Sequence, residues 1–106
     1  MEAALKAIAE PNRRRILTLV RNEELTAGEI ASHFEVSRPA VSQHLTVLKE
    51  AGLVHERRNG TRRLYSVRPE GFEEVKTFLE AFWADKLEAL KREAEREERR
   101  KRGKHD

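Results

Sequence analysis

Ser37-Arg38-Pro39-Ala40-Val41-Ser42-Gln43-His44-Leu45-Thr46-Val47-Leu48-Lys49-Glu50-Ala51-Gly52 is the stretch that decides the fold. Val41, Leu45 and Leu48 stand at i, i+4 and i+7, so they share one face of a helix and point into a core. Pro39, Ser42, Gln43, Thr46 and Glu50 fall on roughly the opposite face. Ser37 is an N-cap, Val36 before it can staple onto Val41, and Gly52 suits the position just past the C-terminus. The exposed N-terminal half offers small polar side chains with Arg and Gln, which suits a DNA major groove: small residues allow close approach, and Gln and Arg can bond bidentately to base edges. An ordinary amphipathic surface helix would show the same periodicity, so the flanks must decide.

Upstream, Leu25-Thr26-Ala27-Gly28-Glu29-Ile30 combines a capping box (Thr26, Glu29) with a hydrophobic staple (Leu25, Ile30), which predicts a short helix from Ala27 to about Phe34. Two capped helices joined at Glu35-Val36, the second with a polar N-terminal face, form a helix-turn-helix pattern. Before them, Glu2 to Ala9 is a helix too short to stand alone, with Leu5 and Ile8 at i, i+3 spacing. Pro11 opens another helix, to about Arg21, which buries Ile16, Leu17, Leu19 and Val20. Arg13, Arg14 and Arg15 near its start read equally as a solvated face or a phosphate contact.

Downstream the period changes. Leu53 to Arg58 is extended, Asn59-Gly60 signals a type I′ hairpin, and Arg62 to Arg68 returns as a second strand. Arg57, Arg58, Arg62 and Arg63 cluster on the projecting hairpin, which directly after a helix-turn-helix favours nucleic acid over a solvated turn. Pro69 opens a long last helix. Phe72, Val75, Leu79 and Phe82 are spaced 3, 4 and 3, and Phe78, Trp83, Leu87, Leu90 and Ala94 widen the stripe. Four of the six aromatic residues lie here. A domain this small cannot cover such a stripe itself, so it reads as a dimer interface with Leu5 and Ile8 of the first helix. From Lys91 the helix is nearly all charged, with Glu95–Arg99, Glu97–Lys101 and Glu98–Arg102 at i, i+4, and is expected to fray near Gly103. The domain organisation is a DNA-binding and dimerisation domain over residues 1–90 and a charged helix end and tail over 91–106.

The 106 residues allow one domain; 38% are hydrophobic against 39% charged, a thin core that itself suggests an oligomer. Net charge is +3, so the placement of charge matters more than its amount. With no cysteine, disulfides, zinc–thiolate sites and cysteine nucleophiles are excluded. No apolar run is long enough to span a membrane or act as a signal peptide, so a soluble cytoplasmic protein is the default expectation. His33, His44 and His55 have no acid or nucleophile in a catalytic arrangement and there is no glycine-rich phosphate loop, so no enzyme is expected.

The layout is mainly α with a small β-hairpin (α+β), a winged helix-turn-helix with a long C-terminal helix. The chain resembles the ArsR/SmtB family of bacterial repressors over nearly its whole length. The match rests on Glu-Pro-Asn-Arg-Arg-Arg-Ile-Leu at 10–17, the run from Ser37 to Val54, and Arg-Arg-Asn-Gly-Thr-Arg-Arg-Leu-Tyr at 57–65. The resemblance implies a symmetric homodimer on a palindromic double-stranded DNA operator. The helix from Arg38 to Ala51 would enter the major groove, with Ser37, Arg38, Pro39, Ala40, Ser42, Gln43, His44 and Thr46 at DNA; Gln43, Arg38 and Ser42 would reach bases, and Ser37 and His44 would reach phosphate. The wing would bring Arg57, Arg58, Asn59, Gly60, Thr61, Arg62 and Arg63 to the backbone or minor groove. Leu5, Ile8, Phe78, Leu79, Phe82, Trp83, Leu87 and Leu90 would form the dimer interface.

Metal-sensing members carry cysteines where this chain has Glu24-Leu25-Thr26-Ala27-Gly28, and zinc sensors carry Asp, His and Glu ligands along the last helix, where this chain has Asp85 and no histidine before His105. The resemblance is therefore to metal-independent members, with no metal site and no cofactor expected, and with room for a small-molecule or protein effector that no residue pattern identifies. A protein-interaction module docking through the aromatic last helix is the competing function; the arginine-rich hairpin argues against it.

Overall fold

A computed structural model describes residues 1–103, and the tail histidine His105 lies outside them. The element order is α1 (Glu2–Ala9), α2 (Pro11–Leu19), β1 (Leu25–Thr26), α3 (Ala27–Ala31), α4 (Arg38–Glu50), β2 (Val54–Asn59), β3 (Arg62–Val67), a 3₁₀ turn (Pro69–Phe72) and α5 (Glu73–Gly103). The chain divides into two compact units, Met1–Val75 and the stretch from Lys76 onward. The change comes earlier than the shift in composition at Lys91, because Val75 is the last buried residue of α5.

The first unit closes around Ile16, Val20, Leu25, Ile30, Val41, Leu45, Leu48, Leu53, Val54 and Tyr65, with Ala4 and Ala7 of α1 packed onto them. The small face of α1 does the docking. Leu5 at the next position is left exposed, and Ile8 is only partly buried. Helix α4 buries Val41, Leu45 and Leu48 as its periodicity requires. Its C-terminus is a Schellman motif: Leu53 N–H donates to Leu48 C=O and Gly52 N–H to Lys49 C=O, each at 3.0 Å. Gly52 sits in the left-handed region (φ 76°), and the Leu48 and Leu53 side chains that bracket it are both fully buried.

Several features of this unit depart from the sequence reading. Val36 is 37% exposed, so the position before the α4 cap is only partly covered. Helix α3 ends at Ala31, and the chain then tightens: His33 N–H bonds to Ile30 C=O and Phe34 N–H to Ala31 C=O, three residues back rather than four. The wing has a third strand, since Leu25 and Thr26 pair antiparallel with Tyr65 and Leu64, giving sheet order β1-β3-β2. The hairpin loop is Gly60-Thr61, not Asn59-Gly60, because Asn59 pairs with Arg62. Gly60 takes φ 66° and no non-glycine among the described residues has positive φ, which is the pattern of a type II′ turn with glycine first.

Pro69 opens a 3₁₀ turn and α5 begins at Glu73, where an uninterrupted helix from the proline was expected. Gly71 lies so close to the C′ residue of α4 that a Cβ there would stand 1.9 Å from the Gly52 carbonyl oxygen. The second unit is helix alone. Phe78, Leu79, Phe82, Trp83, Leu87 and Leu90 are all exposed, and Phe82 and Trp83 meet edge to face with centroids 5.8 Å apart. Ion pairs Glu95–Arg99 and Glu98–Arg102 line its end as their spacing predicts, Glu97 pairs with Arg100 rather than Lys101, and the helix is described through Gly103.

Candidate nucleic-acid interface

Each half of the helix-turn-helix is pinned by its own cap. Thr26 Oγ1 accepts from Glu29 N–H and Glu29 Oε1 accepts from Thr26 N–H, both at 3.1 Å. Ser37 Oγ accepts from Ala40 N–H at 3.3 Å and starts α4 with Pro39 in its first turn. The face of α4 that escapes the core carries Arg38, Pro39, Ser42, Gln43 and Thr46, all exposed, with Ala40 half-buried beside them. Thr46 Oγ1 donates back to Ser42 C=O at 3.0 Å, leaving its methyl and oxygen lone pairs outward. Gly28 of α3 provides close passage for Arg38, whose guanidinium lies 3.8 Å from where a Gly28 Cβ would be.

His44 departs from this face. It follows Gln43, about 100° further round the helix, and is half-buried, its ring Nδ1 within 3.3 Å of the Arg13 guanidinium and its Nε2 3.9 Å from Glu10. That contact fixes α4 to the α1–α2 corner, and takes His44 out of the group of side chains open to an outside phosphate.

Arg14 and Arg15 are exposed and Arg13 is half-buried, and all three spend donors on nearby backbone carbonyls. Arg13 donates to Ala7 C=O (2.7 Å) and Lys6 C=O (3.2 Å), and Arg14 to Ile8 C=O (2.8 Å) and Ala9 C=O (3.0 Å). They close the C-terminal carbonyls of α1, the end of a helix dipole where cations are favoured. Arg15 donates to His33 C=O at 2.7 Å and lies 4.7 Å over the Phe34 ring, fixing the tightened end of α3.

The wing stands beside α4. Arg38 and Ser42 share a cleft of about 450 Å3 with Thr26, Ala27, Thr61, Arg62, Arg63 and Tyr65. Carboxylates outside the cleft hold the arginines of the wing. Glu24 takes a bidentate pair from Arg57 at 2.8 and 2.9 Å, and that bond holds the Glu24 carboxyl below its ordinary value. Glu29 is lowered by the bonds of its capping box with Thr26, and further by Arg62 at 3.0 Å. Burial pushes Glu56 up, but the bonds from Lys49 and Tyr65, each 3.3 Å, and the charge of Arg63 outweigh it, so its net shift is downward. Burial and the neighbouring Glu56 raise Tyr65. Glu56 therefore ties the wing to Lys49 of α4. Both Arg57 and Arg62 pair with partners 33 residues upstream, a separation that no local pattern encodes.

Among the described residues, no group of three or more His, Asp or Glu side chains is arranged to hold a metal ion, and no helix is long and apolar enough to cross a membrane.

The family described as bacterial regulatory protein, arsR family, matches residues 10–56, from the cap of α2 into β2. The HTH-type transcriptional regulator Rv2034 of Mycobacterium tuberculosis is 45% identical over 81% of this chain and 80% of its own length. The transcriptional repressor SdpR of Bacillus subtilis is 43% identical over 63% of this chain and 74% of its own. Among solved structures, a possible transcriptional regulator for arsenical resistance superposes with a TM-score of 0.69 at 44% identity, covering 81% of this chain and 90% of that one. An ArsR-like regulator from Rhodococcus sp. RHA1 gives 0.72 at 29% identity, covering 89% of each chain. Sequence and winged-helix geometry agree, and the chain belongs to the ArsR family of bacterial regulatory proteins, DNA-binding transcriptional regulators rather than enzymes.

Proposed function

We propose that the protein is a homodimeric transcriptional repressor that binds a palindromic operator, with α4 in the major groove and the wing on the adjacent backbone or minor groove. The observation that carries this reading is the shared cleft, which sets Arg38 and Ser42 of α4 across from Thr61 and Arg63 of the wing. A recognition helix specifies sequence only where small and bidentate side chains reach base edges, and arginine beside it supplies sequence-independent attraction to phosphate. Gln43, with Arg38 and Ser42, reads bases; Ser37 and Pro39 bring the N-terminus of the helix close to the backbone. His44 positions α4 through Arg13 and Glu10.

The exposed stripe Phe78, Leu79, Phe82, Trp83, Leu87 and Leu90 supports dimerisation, since a soluble monomer rarely leaves such a run of large apolar side chains open. Leu5 and Ile8 are assigned to the same interface. Two-fold symmetry then sets half-site centres about one helical turn, roughly 10 base pairs, apart. Effector control, if the protein has it, acts through a small molecule or protein partner rather than through a metal, because cysteine is absent and imidazoles are scattered.

The test is a pair of binding isotherms for Gln43→Ala. The substitution should cost about 1–3 kcal/mol on the operator and little on random duplex. Equal weakening on both would end the base-reading role.

A further inference from the structure

The wing has four arginines, and strand alternation divides them. Arg58 lies directly opposite Arg63, Arg57 opposite Leu64, and Asn59 opposite Arg62. Successive residues of a strand point to opposite faces. Arg58 and Arg63 therefore share the face of Val54, Glu56, Tyr65 and Val67, which packs on the core and reaches Lys49 of α4 through Glu56. Arg57 and Arg62 lie on the reverse face with His55, Asn59 and Leu64.

The two pairs differ in their counterions. Arg57 is clamped by both oxygens of Glu24, and Arg62 is held by Glu29, whose carboxylate closes the capping box of α3 at the same time. Arg58 has no carboxylate partner among the described residues. Arg63 has only Glu56, at 3.8 Å, and that carboxylate already accepts from Lys49 and Tyr65. Like charges directly opposite in an antiparallel pair repel, so Arg58, with no carboxylate, and Arg63, which shares Glu56 with Lys49, leave a net positive site on the α4 side of the wing. An anion between them would remove that repulsion.

We propose that the wing assigns its arginines to two tasks: Arg58 and Arg63 take DNA phosphate, while Arg57 and Arg62, held by Glu24 and Glu29, set the angle of the wing against the helix-turn-helix. The inference rests on the reading that the wing lies on DNA. An arginine that arrives with its own carboxylate brings no net charge to the duplex and releases no net counterion. An uncompensated one contributes about 0.9 to the slope of log affinity against log salt.

The experiment is a salt titration of random-duplex binding by fluorescence anisotropy, using the full chain and three variants. Arg58→Gln should flatten the slope by about 0.9. The paired deletions Glu24→Gln with Arg57→Gln, and Glu29→Gln with Arg62→Gln, should leave it unchanged. Glutamine at residue 29 can still close the capping box, and exposed ion pairs contribute little to global stability, whatever they do for local order in the wing, so all three variants should keep the parent's thermal midpoint. The inference is overturned if either paired deletion flattens the slope as much as Arg58→Gln does, or if Arg58→Gln leaves it unchanged. Loss of discrimination by Gln43→Ala is read separately on the operator, so a wrong wing assignment and a wrong recognition helix give different results.

Discussion

Replacing Gly71 by alanine tests how rigidly the start of α5 is fixed on the end of α4. The new Cβ would stand 1.9 Å from the Gly52 carbonyl oxygen, 2.8 Å from its carbonyl carbon and 3.3 Å from Leu53 Cα. Carbon–oxygen contacts settle at about 3.3–3.6 Å, so the two backbones must part by roughly 1.4 Å. Neither side yields cheaply, because every atom in the clash is main chain. Gly52 is the left-handed residue of the Schellman motif, Arg68 N–H donates to Leu53 C=O at 2.8 Å, and the Arg68 guanidinium donates to Gly52 C=O at 3.3 Å. Losing two such bonds costs about 1 kcal/mol each, and the residual overpacking about 1–3 kcal/mol more. The expected destabilisation is about 3 kcal/mol or greater, against roughly 5–15 kcal/mol for a whole domain. Urea unfolding followed by circular dichroism, at one fixed protein concentration, measures it. Gly28→Ala is the matched control: there the Cβ meets only the Arg38 guanidinium, at 3.8–3.9 Å, and alanine in the helix should gain about 0.5–1 kcal/mol. A Gly71→Ala protein within about 0.5 kcal/mol of the parent, the ordinary range for a surface change, would refute the argument.

The joint change Phe82→Ala with Trp83→Ala removes packing worth several kcal/mol, about 3–5 for each buried ring, and should leave a monomer that no longer holds the operator; an unmodified protein that sediments as a monomer at micromolar concentration would contradict the dimer itself. Operator affinity should shift by less than about tenfold, roughly 1.4 kcal/mol, between chelator and micromolar zinc, cadmium, nickel or copper, and between oxidant and reductant. A larger shift with one metal would reveal a site assembled between subunits. Glu24 and Glu29 are held below their ordinary value of 4.5, so the stability they lend is present above that pH and is lost as pH falls through their lowered values. Amide protection in β1 and the wing should therefore decline at acid pH before the α4 core opens, and simultaneous loss in both would count against the carboxylate clamps.

The fold was legible in the sequence wherever its signals are local. The Thr26–Glu29 box, the Ser37 cap and the Gly52 turn each consist of a side chain bonding to backbone within a few residues, so composition and spacing are enough. The periodicity of Val41, Leu45 and Leu48 reports burial directly. Errors came where a distant partner decides. Asn59-Gly60 is a strong turn signal in isolation, yet the pairing of Asn59 with Arg62 carries the strands one residue further, and the turn falls on Gly60-Thr61. Leu25 and Thr26 look only like a staple and a cap, because a two-residue strand has no period to detect; its partner is β3, almost forty positions away in sequence.

The candidate site was legible to a different degree, because the sequence displays charge without showing what neutralises it. Arg13, Arg14 and Arg15 look like a basic patch next to a DNA-binding motif, but their guanidinium groups are occupied by carbonyls at the ends of α1 and α3. His44 lies on α4 next to Gln43, but its ring is turned to Arg13 and Glu10 rather than lying on the exposed face. On the wing, four arginines of equal appearance differ in their carboxylates: Arg57 and Arg62 are held closely, Arg63 loosely by Glu56, and Arg58 by none among the described residues. The short strand β1 is what makes the separation physical. By pairing with β3 it brings the chain on either side of Thr26 to the flank of the hairpin, where Glu24 meets Arg57 and Glu29 meets Arg62. A winged helix with the same basic composition but without those carboxylates would carry more free charge to DNA and bind random sequence more tightly. Specificity is a difference between two affinities, and wing charge acts alike on operator and random duplex, so internal neutralisation lowers both and leaves the difference to α4, where we place base reading on Gln43 and its neighbours.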